Sequence, residues 1–304
     1  MNPTKVKHLI TALVWLLILA GSIYTFQLFE KGENPFNSLI PIQGNLQELQ
    51  RHVITEDITD LQVDWVSGGV RIVRSESDEI IWVENGYSEI NESRWATATI
   101  KNGKLSIVSE NQSSFNFMFL FRSRETYLEL HLPDKQFDSM FLQLTSGIID
   151  IRDLSVKQQL RVTMTSGRLQ LFDSSAQDLN LNMTSGDVLI LDSEFENANL
   201  TMVSGKMDLN SNINKQLKSR ITSGRMNIVF NQVNPTEIDL DATSGSIRLD
   251  LHQDANFTLR VNKTSGRLTT NFDGYDGSNY VIGTGANQYY IKMTSGEIRV
   301  YIQP

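Results

Sequence analysis

Apolar and polar residues alternate along most of this sequence, and from Met140 onward one short phrase punctuates the alternation. It appears as Leu144-Thr145-Ser146-Gly147, Met164-Thr165-Ser166-Gly167, Met183-Thr184-Ser185-Gly186 and Met202-Val203-Ser204-Gly205. It continues as Ile221-Thr222-Ser223-Gly224, Ala242-Thr243-Ser244-Gly245, Lys263-Thr264-Ser265-Gly266 and Met293-Thr294-Ser295-Gly296. The intervals between the glycines are 20, 19, 19, 19, 21, 21 and 30 residues. A period near twenty, held over so many copies, indicates a repeat architecture.

With each Gly numbered zero, positions −7, −5 and −3 are apolar almost throughout, as in Leu179, Leu181 and Met183, and polar residues stand between them. Position −3 breaks the rule at Lys263. Such period-two alternation marks a strand with one buried face. After the Gly it resumes in the other parity, with Val188 at +2 and Ile190 at +4. A slip of one residue at a glycine predicts a bend, since glycine adopts dihedrals that other residues resist. By the same count the Ser at −1 should point inward, where stacked hydroxyls would hydrogen-bond. Each repeat is therefore expected to be strand, Ser-Gly corner, strand and polar loop.

One such unit cannot bury its own apolar row, but stacked copies can. The predicted fold is all-β: a right-handed parallel β-solenoid, β-helix-like, with coils of about twenty residues. The structural-corner residues are Ser146, Gly147, Ser166, Gly167, Ser185, Gly186, Ser204, Gly205, Ser223, Gly224, Ser244, Gly245, Ser265, Gly266, Ser295 and Gly296. Repetition argues for a geometric role of these serines, and no base accompanies them as a nucleophile would require.

Ahead of the repeats, residues 56–139 read as a cap and first coils. Leu61–Trp65 alternates into Ser67-Gly68, Glu79–Val83 is a strand, Lys101–Lys104 is a hairpin turn, and Tyr127–Leu132 is a strand stopped by Pro133. Phe115–Phe121 (FNFMFLF) is either a plug for the solenoid end or a contact patch. Residues 30–55 read as a tether, with a weak helical signal at Gln47–His52.

The 21 residues Leu9–Phe29 carry no charge and match a hydrocarbon core about 30 Å thick. Lys5 and Lys7 precede them, so residues 1–8 are expected in the cytoplasm and residues 30–304 outside it. A cleaved signal peptide ending near Ala20-Gly21-Ser22 is the competing reading, but the apolar run continues past it.

The tether, the Ser-Gly-Gly-Val strand at Ser67–Val70, the Asn-Gly-Lys-Leu turn at Asn102–Leu105, the strand ending Leu132-Pro133 and the Thr-Ser-Gly coils together resemble the bacterial putative-adhesin family of unknown function. The likeness covers residues 56–304 and is greatest to members anchored by one helix and encoded beside Lia-type envelope-stress systems in Gram-positive bacteria. It implies a β-solenoid on the outer face of the membrane and brings no catalytic motif with it; the expected role is a non-catalytic surface scaffold without cofactor that binds a protein or glycan partner, with a carbohydrate-active β-helix enzyme as the alternative.

Charge and chemistry modify this reading little. The net charge is −8, and removing the two lysines of the amino-terminal segment leaves −10 for the remainder, which argues against nucleic acid. Cysteine is absent, so no disulfide or thiolate site can form. His8, His52, His131 and His252 are scattered. Asp153, Asp173 and Asp192 recur at +6, where stacked carboxylates could bind calcium or form the acid pair of a polysaccharide-cleaving enzyme; an Asx-turn is the simpler reading. Asn271–Asn279 resembles a calcium loop in composition but lacks a closing Glu. Arg168, Lys206, Arg225 and Arg267 at +1 suggest a broken basic stripe. Finally, Glu297–Ile302 is expected to be an open edge strand suited to self-association, unless the long Gly266–Gly296 interval folds back over it.

Overall fold

In the computed structural model, residues 46–86, 90–109, 125–277 and 279–304 are described. The Leu9–Phe29 segment and Phe115–Phe121 lie outside them. Among the described residues no helix is long and apolar enough to cross a membrane. A 3-10 turn, Glu92–Arg94, is capped by the Asn91 side chain.

The alternating segments form strands that bury their apolar row against one another. In order they are β1 (Gln47–Ile54), β2 (Asp60–Arg74), β3 (Ile80–Gly86), β4 (Thr97–Lys101), β5 (Lys104–Val108), β6 (Thr126–Leu132) and β7 (Phe137–Arg152). Then follow β8 (Val156–Phe172), β9 (Ser175–Val229), β10 (Glu237–Leu251), β11 (Phe257–Lys263), β12 (Arg267–Thr270), β13 (Tyr280–Ile282) and β14 (Asn287–Ile302). The unbroken β9 runs through the three coils of Gly186, Gly205 and Gly224, because the links between those coils stay extended. Residues 47–54, expected within the tether and as a helical turn, are instead strand β1, paired antiparallel with β3.

Neighbouring coils pair in parallel with Ser over Ser and Gly over Gly, as in Ser166↔Ser185 and Gly167↔Gly186. Positions −7, −5, −3, +2 and +4 fill the interior: Leu179, Leu181, Met183, Val188 and Ile190 are all buried. The expected all-β coils are therefore present. Their order along the stack, however, differs from their order in sequence at both ends.

At one end, β5 and β6 together make a coil on the outer side of β2. Leu105 and Ile107 take positions −7 and −5, Thr126 takes the glycine position opposite Gly68, and Leu128 and Leu130 take +2 and +4. β7 then packs on the other side of β2. The antiparallel strands β3 and β1 cover β6, and β4 covers β5.

At the other end, β14 lies between β10 and the pair β11/β12. The Gly266 coil is thus the last of the stack although it precedes the Gly296 coil in sequence. This corrects the expectation for Glu297–Ile302. Glu297–Val300 pair with β12 on one side and with β10 on the other, and the Asn271 amide bonds both N–H and C=O of Ile302, so that strand offers no open edge. The fold-back of the Gly266–Gly296 interval is what the structure has. It also explains why Lys263 breaks the apolar rule at −3, and Thr270 at +4: they stand where the interior opens to solvent.

Candidate functional site

The corner glycines have φ between +104° and +142° in the coils from Gly68 to Gly296, a region that L side chains resist. Their spacing is tighter still than this requires. A Cβ on Gly186 would overlap the carbonyl oxygen of Gly167 and stand 2.9 Å from its carbon. The same relation holds from Thr126 through Gly68, Gly147 and onward to Gly245, Gly296 and Gly266, ten levels in all. The column is a line of backbone in van der Waals contact.

The serines at −1 do not point inward, contrary to the parity count. Ser146, Ser185, Ser223, Ser244, Ser265 and Ser295 are exposed, and Ser166 and Ser204 are half-buried. Between −3 and +2 the chain does not switch faces in one step. It carries Thr and Ser both outward, and the ladder passes over the Thr. Among these corner serines one hydroxyl contact is found, Ser204 to Ser185 at 3.5 Å. The buried serine ladder lies at the opposite corner: Ser174 Oγ accepts from Leu154 N, Ser193 Oγ from Ser174 N, and Ser211 Oγ from Ser193 N, at 3.1–3.2 Å. Its sequence signal was Ser at +7, +7 and +6 of three successive coils.

Asp153, Asp173 and Asp192 make that second corner. Each has φ near +50°, the left-handed conformation that Asp tolerates better than most residues, and each side chain is exposed. Among the described residues no group of three or more His, Asp or Glu side chains could hold a metal, at this column or in the Asn271–Asn279 loop. That loop instead carries aromatic packing, Phe272 against Phe257 and Tyr280, and Tyr275 against Tyr280. His52 stacks on Trp82, His131 lies 3.4 Å from Glu129, and His252 lies 3.5 Å from Asp254; the structure does not bring them together.

Outward side chains of the second strand of each coil form ion pairs, Arg168–Asp187, Lys206–Asp208, Arg248–Asp250 and Arg299–Glu297. Lys206, Arg225, Arg248 and Arg299 line a shallow groove of about 420 Å³ with Asp208 and Glu297. Of the basic stripe, Arg168 and Lys206 are thus neutralised, whereas Arg225 and Arg267 carry no ion pair among the described residues. On the first strand Lys218 lies beside Asp239 and Arg220 beside Asp241 of the next coil, and Lys215 pairs with Glu196 of the preceding one.

The terminal coil is different. Phe257–Thr270 carries Arg260, Lys263 and Arg267 and no carboxylate, and all three cations are exposed with no ion pair among the described residues. Their register neighbours on β14 are Tyr290, Met293 and Glu297, and Glu297 is held by Arg299 at 2.7 Å.

A family model described as Toastrack DUF4097 matches residues 58–301. Solved structures are similar at low identity. A putative adhesin from Parabacteroides distasonis is 10% identical, with 84% of this chain and 98% of that chain covered and a TM-score of 0.46. A putative adhesin from Parabacteroides merdae is 12% identical, with 84% and 97% covered and a TM-score of 0.45. A putative lipid binding protein from Parabacteroides distasonis is 11% identical, with 86% and 98% covered and a TM-score of 0.39. No curated protein matches the chain by sequence.

Proposed function

The chain belongs to the Toastrack DUF4097 family, and from that premise we propose that it is a non-catalytic binding scaffold, held by residues 9–29 at the outer face of the cell membrane. The observation that supports this reading is the unbroken register of the stack. Ten levels in backbone contact keep outward side chains in straight columns about 4.8 Å apart, a rigid platform suited to an extended partner. The αL aspartates have a structural use in this register, so they need no catalytic one. An adhesive role, or a role in the response to envelope stress, fits a platform presented outside the cell.

The experiment is a protease-accessibility assay on intact cells making the full-length chain with a different epitope at each end. Loss of the carboxy-terminal epitope with retention of the amino-terminal one is expected. Protection of both epitopes until the cells are lysed would end the proposal.

A further inference from the structure

The terminal coil has an uncovered edge. β13 pairs antiparallel with Phe257, Thr258 and Leu259 and stops there. Beyond it, Arg260–Lys263 of β11 and all of β12 pair with β14 alone, so their outward N–H and C=O groups have no strand partner among the described residues. Val261 and Leu268 are half-buried against the core and lose their remaining exposure when another strand is laid on. Elsewhere in the stack such an edge is covered by the next coil.

Charge selects what can cover this one. Arg260 and Arg267 lie on the outer face of the coil, Lys263 stands at the inward position nearest the corner, and no acid of the coil offsets them. A second copy presenting the same edge would bring three cations against three, which opposes self-pairing, as charged residues on edge strands commonly do. A strand bearing carboxylates meets no such barrier. We propose that the edge Arg260–Thr270 binds an extended acidic segment of a partner protein by strand addition. Apolar residues of that segment face Val261 and Leu268, and alternating carboxylates face Arg260 and Arg267. Backbone bonds supply the attachment and the cations supply the choice of partner. This rests on the reading of the chain as a binding scaffold.

The test uses the full-length chain in detergent and a short fluorescent peptide of two runs alternating valine with glutamate, joined by a glycine that repeats the parity slip between Val261 and Leu268. The same peptide with glutamine, and with lysine, in place of glutamate serve as comparisons. Two exposed ion pairs, at Arg260 and Arg267, should give the glutamate peptide about fivefold tighter binding than the glutamine peptide, with the lysine peptide weakest. In a variant combining Arg260→Glu, Lys263→Glu and Arg267→Glu the order should invert while the circular dichroism spectrum and urea midpoint stay those of the unaltered chain. Equal binding of the three peptides, or an order unchanged by the triple variant, overturns the proposal. So does self-association of the unaltered chain that the glutamate peptide fails to compete. Such failures leave the protease-accessibility result untouched, and a failure of export leaves peptide binding untouched.

Discussion

Replacing Gly186 by alanine tests the backbone column directly. Two costs arise at once. The native φ of +137° is unfavourable for any L side chain, at about 1–3 kcal/mol. The new Cβ would also overlap the Gly167 carbonyl oxygen and lie 2.9 Å from the carbon and 3.0 Å from the nitrogen of the same residue. Non-bonded atoms prefer about 3.5–4.0 Å, so two coils must part by roughly half an ångström or more, and the atoms in the way are backbone. Weakening two inter-coil hydrogen bonds costs about 1–3 kcal/mol more. The expected loss is therefore roughly 2–6 kcal/mol, a large part of a stability of about 5–15 kcal/mol. Gly277→Ala separates the two costs: its φ is +99°, but a Cβ there meets nothing within 4 Å, so only the conformational cost of about 1–3 kcal/mol applies. Asp187→Ala, which loses an ion pair at 3.7 Å on a half-exposed side chain, should cost no more than about 0.5 kcal/mol. Urea unfolding midpoints at constant m-value measure all three. If Gly186→Ala loses no more than Gly277→Ala, contact between the coils does not enforce the glycine, and the reasoning fails.

Ser193→Ala should cost about 1–3 kcal/mol in the same assay, because it leaves the buried Ser174 N–H without its partner and removes one of the two bonds to the Leu191 carbonyl, whereas Ser185→Ala at the exposed corner should stay within about 0.5 kcal/mol. A pH series tests Tyr289, whose buried phenol donates to the Pro235 carbonyl at 2.9 Å and whose pKa burial pushes up to about 12. The folded state holds that proton more tightly than the unfolded chain, so stability should fall as pH rises from about 10 to about 12, and Tyr289→Phe should remove that part of the fall.

The coils were legible because their signal is local. A strand with Leu179 and Leu181 inward declares itself within a few residues, and the glycine marks where its parity slips. Parity points the corner serine inward only where a strand continues, whereas the chain there turns Thr and Ser outward together. The coil of β5 and β6 was hidden because its halves are separated in sequence by the segment between Ser109 and Glu125, with Thr126 where a glycine would announce it. The displaced end was legible in part. Lys263 and Thr270 in one repeat both depart from the apolar rule, which is what a terminal coil needs, yet nothing local says that a later repeat must pass inside an earlier one. Spatial order is a long-range property, decided by which edge each apolar row can reach.

That displacement also has a consequence in time. The coils from Gly147 to Gly245 each find their neighbour already made as the chain is synthesised from its amino terminus. Phe257–Thr270 does not, since the strand that joins it to β10 is Asn287–Ile302, made afterwards. At about 5–20 residues per second, the earlier segment waits on the order of seconds before its partner emerges. Closure of this end is therefore a late event in biogenesis, and a ribosomal pause or a proteolytic cut between Thr270 and Asn287 would interrupt it while leaving the central coils free to assemble.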